Sequence, residues 1–98
     1  MVLEHALLTV RPGRQAEFEA AFAQARPIIG AMPGFRSLRL SRGLEQDDVY
    51  LLLVEWDRLE DHTEGFRGSP AFTEWRRLLG PFFADPPAVE HFSQVATA

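Results

Sequence analysis

Residues 49–72 constrain the fold of this chain most, because within 24 residues they pass from a strand into a helix that then restarts. The run Val49–Trp56 is apolar at almost every position, which is typical of a central strand covered on both faces. Asp57 followed by Glu60 has the form of a capping box, so we expect a helix to begin there. Ser69-Pro70 is a second helix start, since serine caps helices and proline fits the first helical position. The sequence therefore predicts a central strand followed by a helix broken in two.

Three other segments have the character of strands. Residues 2–10 are mostly β-tolerant, and residues 35–44 alternate polar and apolar side chains, as in a strand with one buried face. Residues 88–95 follow the turn signal Asp85-Pro86-Pro87. A four-residue polar turn at 45–48 makes the segments on either side antiparallel neighbours.

Two regions have the helical period instead. A helix is predicted from Arg14, and Pro27 is expected to kink or shorten its last turn. The residues predicted to share one helical face are Phe18, Phe22, Ala25 and Ile29 in this helix, Leu59, His62, Thr63 and Phe66 in the first half of the broken helix, and Phe72, Trp75, Leu78 and Leu79 in its second half.

The resulting order is β-α-β-β-α-β over a single domain, residues 1–98. This order predicts a ferredoxin-like α+β sandwich, a four-stranded antiparallel sheet with helices on one face. Apolar residues on both faces of several strands mean that the other face also needs a cover, and no element is left to provide it. We therefore expect a homodimer formed through the open sheet face.

Composition excludes several classes of function. A formal net charge of −4 argues against nucleic acid as a partner, and the lack of cysteine excludes disulfides and thiolate chemistry. The first ten residues carry Glu4 and His5 and have no basic leader, so they predict neither a signal peptide nor a membrane span. A cytoplasmic protein without a membrane partner is the expectation.

The candidate site residues lie around the junction. His62 shares a face with Phe66, so its imidazole points at the sheet, where it would either move protons near neutral pH or only satisfy a backbone carbonyl. The aromatic residues around it are either core or the wall of a flat pocket. Arg39 is a weaker candidate for stabilising a substrate anion. His5 and His91, on strands expected to be adjacent, lack the third ligand that a metal site needs. The aromatic set is Trp56, Phe66, Phe72 and Trp75.

These features together resemble the antibiotic biosynthesis monooxygenase family, whose members form dimeric α+β barrels. The likeness covers nearly the whole chain and rests on short motifs in order: Arg11-Pro12-Gly13, Met32-Pro33-Gly34-Phe35, residues 54–57, His62, and Ser69-Pro70-Ala71-Phe72. The resemblance implies oxygenation of an anthrone-like or quinol-type aromatic substrate by O2 without metal, flavin or haem. It implies His62 as the catalytic residue, and Trp56 matches the family tryptophan that ends the third strand and either lines the pocket or only packs. The other predicted substrate contacts, which come from the residue pattern and not from the resemblance, are Phe66, Phe72, Trp75 and Arg39.

Two other activities within this superfamily remain open or are disfavoured. Haem-degrading relatives carry an asparagine, a tryptophan and a histidine where this chain has Ala6, Gly65 and Trp75, so the resemblance disfavours haem degradation. An isomerase would need an anionic-group site, for which the sequence offers only Arg67 near His62. A non-catalytic dimeric barrel that binds a small hydrophobic ligand, or has only a stress-related role, is the remaining alternative, and family fold alone does not fix the reaction.

Overall fold

The computed structural model describes residues 1–98, and its elements follow the predicted order. The bounds are β1 (Val2–Thr9), α1 (Gln15–Gly30), β2 (Phe35–Arg42), β3 (Val49–Trp56), a π-helical segment (Asp61–Phe66), α2 (Pro70–Leu79), a 3-10 turn (Gly80–Phe82) and β4 (Ala88–Phe92).

The four strands form one antiparallel sheet in the order β2-β3-β1-β4, so the ferredoxin-like α+β prediction is confirmed. Strand β3 is central, as its apolar composition predicts, and pairs with β1 over the full length of both strands. Side chains alternate between the two faces of each strand. In β3, Tyr50, Leu52, Val54 and Trp56 are buried beneath the helices, while the residues between them are only half-buried.

Helix α1 buries the predicted stripe Phe18, Phe22, Ala25 and Ile29 against this face. The expected shortening at Pro27 does not occur, because the helix continues to Gly30. Tyr50 ties α1 to the sheet: its hydroxyl donates to Glu19 Oε2 over 2.6 Å, and Arg42 also bonds that carboxylate.

The second predicted start of the broken helix is confirmed, because α2 begins at Pro70 with Ser69 at its N-cap position, but the side-chain caps predicted for both starts are not formed. The Asp57 carboxylate accepts a hydrogen bond from the Arg36 guanidinium (2.8 Å) and does not cap the helix. The Glu60 side chain forms no capping hydrogen bond either. Asp61 supplies the contact instead, since its Oδ2 accepts from the backbone N–H of Arg58 over 3.1 Å. Ser69 lies at the N-cap position of α2, but its hydroxyl donates to the Phe66 carbonyl (2.7 Å).

Three further expectations require correction. Leu59 does not share the buried face with His62, because it lies before the π-helical segment and is 39% exposed. Strand β2 ends at Arg42 and β4 at Phe92, so both are shorter than residues 35–44 and 88–95. Beyond Arg42, the chain turns back at once, with the Gly43 N–H donating to the Val49 carbonyl.

The molecule is a two-layer structure, 36 × 35 Å across and 20 Å thick. A sheet and one helical layer account for that thickness, since packed layers lie about 10 Å apart. The second sheet face is left without a covering element, and Leu7 and Phe92 remain 43% and 48% exposed on it. None of the helices has the length and apolar character required to cross a membrane.

Candidate functional site

A cavity of about 440 Å³ lies between the inner face of the sheet and the broken helix. Its volume falls in the range of small-molecule sites, roughly 300–1,000 Å³. Alternate residues of β1 form its floor, because Glu4, Ala6 and Leu8 all point toward the helices. The loop between α2 and β4, with Asp85, closes part of the rim.

Aromatic side chains form the wall opposite the floor. Phe66 ends the π-helical segment, while Phe72 and Trp75 lie on the first turns of α2. Phe66 meets both of them edge to face, with ring centroids 5.2 Å from Phe72 and 5.7 Å from Trp75. Flat, mutually supported rings of this kind suit a planar aromatic ligand.

Four polar side chains form one connected cluster at the floor, and two of them, Glu4 and His62, line the cavity. Trp56 Nε1 donates to Glu4 Oε1 over 3.0 Å, and His62 Nε2 lies 3.3 Å from the same oxygen. On the other side of the ring, His62 Nδ1 lies 2.8 Å from His91 Nε2. The His62 ring also stacks on Trp56, with centroids 5.4 Å apart and an interplanar angle of 18°.

Burial shifts the proton affinities of this cluster. Desolvation raises the pKa of Glu4, although the Trp56 hydrogen bond and the charge of Arg67 partly oppose it. Desolvation lowers the pKa of His62 to about 4, and the neighbouring Arg67 and His91 add to the effect. The pKa of His91 is lowered for the same reasons, burial first and Arg67 second. Both imidazoles are therefore neutral at pH 7.

Two arginines face the cavity from the helical side. Arg67 follows the π-helical segment and Arg76 lies on α2, where its guanidinium sits 5.8 Å from the Phe72 ring centroid. Neither forms a salt bridge, whereas their neighbours Arg58 and Arg77 pair with Asp61 and Glu74. The rim of the cavity therefore carries two cations that are free to bind an anionic group.

The structure brings together four of the six site residues named from the sequence: His62, Phe66, Phe72 and Trp75 line the same cavity. Trp56 is fully buried behind the cavity and contributes through its hydrogen bond to Glu4. Arg39 lies opposite Leu53 on the uncovered side of the sheet and is not brought to the cavity.

Sequence reasoning did not predict Glu4 or Arg76 as site residues, and it considered His91 only as a metal ligand. The position of Glu4 in β1 could have shown its role, because every second residue of a strand faces the same way and Glu4 therefore points inward with Ala6 and Leu8. The strand register puts His91 opposite Glu4, and His5 opposite Glu90 on the other face, so the two histidines do not meet. No group of three or more His, Cys, Asp or Glu side chains is arranged to hold a metal ion.

Comparison with known proteins yields one family and several close structures. Residues 1–78 match the family model of antibiotic biosynthesis monooxygenases. The chain is 53% identical over 95 residues to the uncharacterized protein YczJ of Bacillus subtilis, covering 97% of this chain and 100% of that one. A Bordetella bronchiseptica protein provisionally assigned as an antibiotic biosynthesis monooxygenase is 42% identical, with 97% of each chain covered and a TM-score of 0.94. SnoaB, a cofactor-independent oxygenase from Streptomyces nogalater, is 26% identical over 98% of this chain and 94% of that one, with a TM-score of 0.80.

Proposed function

Because the chain belongs to the antibiotic biosynthesis monooxygenase family, we propose that it is a cofactor-independent monooxygenase acting on an aromatic or quinol-type small molecule. The likeness to SnoaB, described as a cofactor-independent oxygenase, supports this reaction class. For an anthrone-type CH2 group the balance is one O2 per substrate, with one oxygen atom in the new carbonyl and the other in water.

The observation that carries the proposal is the cavity itself, which combines aromatic walls with a buried acid–histidine floor. In a reaction without a cofactor, the deprotonated substrate must supply the electrons that reduce O2. The protein then has three tasks: to orient the ring, to exclude water and to accept the proton. Phe66, Phe72 and Trp75 suit the first two tasks, and the Glu4–His62 pair suits the third.

The cavity also bears on the non-catalytic alternative. A protein whose pocket is filled by its own side chains, with His62 bonded to backbone, would have no room for a ligand. Here about 440 Å³ is open, and His62 meets Glu4 and His91 instead of a carbonyl. These contacts support a ligand-binding role over an inert one.

A second candidate function is favoured by one observation, the unpaired Arg67 and Arg76 on the cavity rim. Guanidinium groups recognise carboxylates and phosphates. An isomerase that moves a proton within a small anionic molecule would use the same floor and these two cations. It would form product without consuming O2.

The test is oxygen consumption with panels of anthrones and hydroquinones, in the parent protein and in His62→Ala. We expect turnover in the parent and a loss of roughly 100-fold or more in His62→Ala, the scale of proton-transfer catalysis. Thr63→Val is the control, since the neighbouring Thr63 does not line the cavity. An absence of oxygen uptake by the parent across both panels contradicts the oxygenase, and product formed without oxygen uptake favours the isomerase.

A further inference from the structure

Glu4 is the only carboxylate on the cavity floor. It is 5% exposed and lies on β1 between apolar neighbours that also face inward. The other acid of the cavity, Asp85, is exposed on the rim. A buried carboxylate is retained only where other groups compensate for its lost hydration.

The two oxygens of Glu4 have different surroundings. Oε1 accepts from Trp56 Nε1 and is also the oxygen nearest to His62 Nε2. Oε2 has no hydrogen-bond partner within the protein. Because every fully buried side-chain oxygen or nitrogen does have a partner, Oε2 is not fully buried. Oε2 is therefore the atom through which Glu4 reaches the cavity. One oxygen is held in place while the other is presented to a ligand.

His62 is placed to support Glu4 as well as to contact a ligand. Its Nε2 lies at Oε1, and its Nδ1 meets His91 Nε2 at 2.8 Å. With Glu4 ionised, this arrangement favours a proton on His62 Nε2, which faces the carboxylate, and a proton on His91 Nε2, which faces His62 Nδ1. The two neutral rings then orient the acid without adding a charge.

We propose that Glu4 is the catalytic base of this site and that its Oε2 takes an acidic O–H or benzylic C–H proton from the bound aromatic molecule. The substrate bond to hydrogen breaks, its electron pair stays on the substrate, and a new O–H bond forms at Oε2. Trp56, His62 and His91 act as positioning residues that hold Oε1. Glu4 has this role only if the cavity holds the substrate, as the proposed function requires, but the step serves an oxygenase and an isomerase equally.

The charged and titratable groups around Glu4 agree with a base. His62 faces it from the π-helical segment, His91 from β4 and Arg67 from the start of the loop before α2. Burial raises the pKa of Glu4 above its ordinary value, which brings it closer to that of a phenol and strengthens it as a proton acceptor. The hydrogen bond from Trp56 and the charge of Arg67 oppose this rise in the pKa of Glu4.

The experiment separates proton abstraction from oxygenation. A panel of anthrones and hydroquinones is added to the protein under nitrogen, and the fraction bound as the coloured anion is read by absorbance against pH. We expect the parent to bind an anion at a pH where the free compound is protonated, and Glu4→Gln to lower that fraction at least tenfold. With O2 admitted, kcat/KM should rise with pH through the Glu4 pKa in the parent and lose that rise in Glu4→Gln, with a loss of roughly 100-fold or more.

Three further variants sharpen the result. Glu4→Asp keeps the carboxylate but shortens the side chain by one methylene, so the turnover rate should fall. Circular dichroism should show that this variant is still folded. Trp56→Phe removes a donor that lowers the Glu4 pKa, so it should move the rising limb of kcat/KM to higher pH. Glu17→Gln, on the surface of α1 and paired with Arg14, should behave as the parent.

If the bound anion forms only when Glu4 is present and no oxygen is consumed, the result supports Glu4 as the base and contradicts only the proposed oxygenase activity. Anion formation or turnover in Glu4→Gln within twofold of the parent, with the same pH profile, overturns the base. Failure of the parent to form any anion across the panel overturns it as well.

Discussion

Three polar side chains lie at or near the core: Glu4, His62 and His91. The structure accommodates them because His62 contacts both of the others. Glu4 and His62 are 5% and 3% exposed, yet no fully buried nitrogen or oxygen lacks a partner. Removing one member of such a cluster leaves the others desolvated and unpaired, which costs more than the pair itself contributes. The cluster is therefore sensitive to substitution and to pH.

The free energy of unfolding should fall as the pH is lowered from about 6.5 to about 4. The unfolded imidazole of His62 takes up a proton near its ordinary pKa, whereas the folded one stays neutral down to about 4. The unfolded state thus binds more protons in this window, with a limiting slope of about 1.4 kcal/mol per pH unit for one group. Glu4 acts in the opposite sense, because its raised pKa makes the folded state hold a proton longer, so the observed slope will be smaller.

The measurement is urea unfolding at a series of pH values for the parent and His62→Gln. The variant should lose part of the slope between pH 4 and 6.5 and keep the dependence that comes from surface carboxylates. Equal slopes in the two proteins would show that His62 titrates in the folded state as it does in the unfolded chain.

His62 could be predicted from the sequence because a histidine on the same helical face as Phe66 has to point at the sheet. Glu4 and His91 could not be paired in that way. They are 87 positions apart, and only the register of β1 with β4 shows that they share a face. The same register places His5, the neighbour of Glu4, on the opposite side of the sheet. Because neighbouring residues of a strand point to opposite faces of the sheet, His91 joins the cluster and His5 does not.

The entry of the chain into β2 and the start of the broken helix meet at Gly34. This residue has a φ of +84°, and its carbonyl accepts from the backbone N–H of Asp57 over 2.8 Å. A Cβ built on Gly34 would clash with Asp61 Oδ2 and lie 2.8 Å from Asp61 Cβ. Glycine is required here both by the backbone conformation and by the close approach of Asp61.

Gly34→Ala should lower the free energy of unfolding by roughly 2–4 kcal/mol, the sum of left-handed backbone strain and overpacking. Gly13→Ala is the matched control, because Gly13 has a φ of +81° but open space around it. It should cost only about 1–2 kcal/mol. Urea unfolding of both variants, with Gly34→Ala repeated in an Asp61→Ala background, separates strain from contact. Equal costs at Gly13 and Gly34 would rule out the steric contribution of Asp61.

The helix starts around this junction were the least predictable part of the fold. Asp57 has the right spacing for a cap, but its carboxylate is taken by Arg36 from the neighbouring strand, a contact that local sequence does not reveal. The helical turn that follows is π-helical, with the Arg67 N–H bonded to the His62 carbonyl. His62 and Phe66 are buried, as helical spacing predicts, whereas Leu59, which precedes this segment, is 39% exposed.

The order of elements and the central place of β3 followed from hydrophobic periodicity, because alternation and helical spacing are properties of each segment alone. The cavity did not follow from it. It depends on how far α2 stands off the sheet, and the aromatic residues that line it would look the same in a filled core. Phe66, Phe72 and Trp75 show this ambiguity, since each one packs against the core and also faces the cavity.

The uncovered face of the sheet carries a band of apolar side chains across three strands. Leu7 and Leu51 are directly paired at its centre, and Phe92 extends it onto β4. Charged residues of both signs, Arg39 on β2 and Glu55 on β3, lie beside the band on the same face. Apolar bands of this kind on small proteins mark interaction surfaces. A second copy related by a two-fold axis can match both the band and the opposite charges.

We expect the parent chain to migrate as a homodimer through this face, at about twice the chain mass of 11.1 kDa. Leu7→Glu should convert it to a monomer, since it would bury a charge at the centre of the interface with no partner. Leu44→Glu is the control, because Leu44 is 94% exposed in a turn that is not part of the face. Light scattering after size exclusion, over a range of protein concentrations, measures both masses. If the parent stays at 11.1 kDa at high concentration, the homodimer is contradicted and something else covers the apolar face. If Leu7→Glu remains dimeric, the interface lies elsewhere on the molecule.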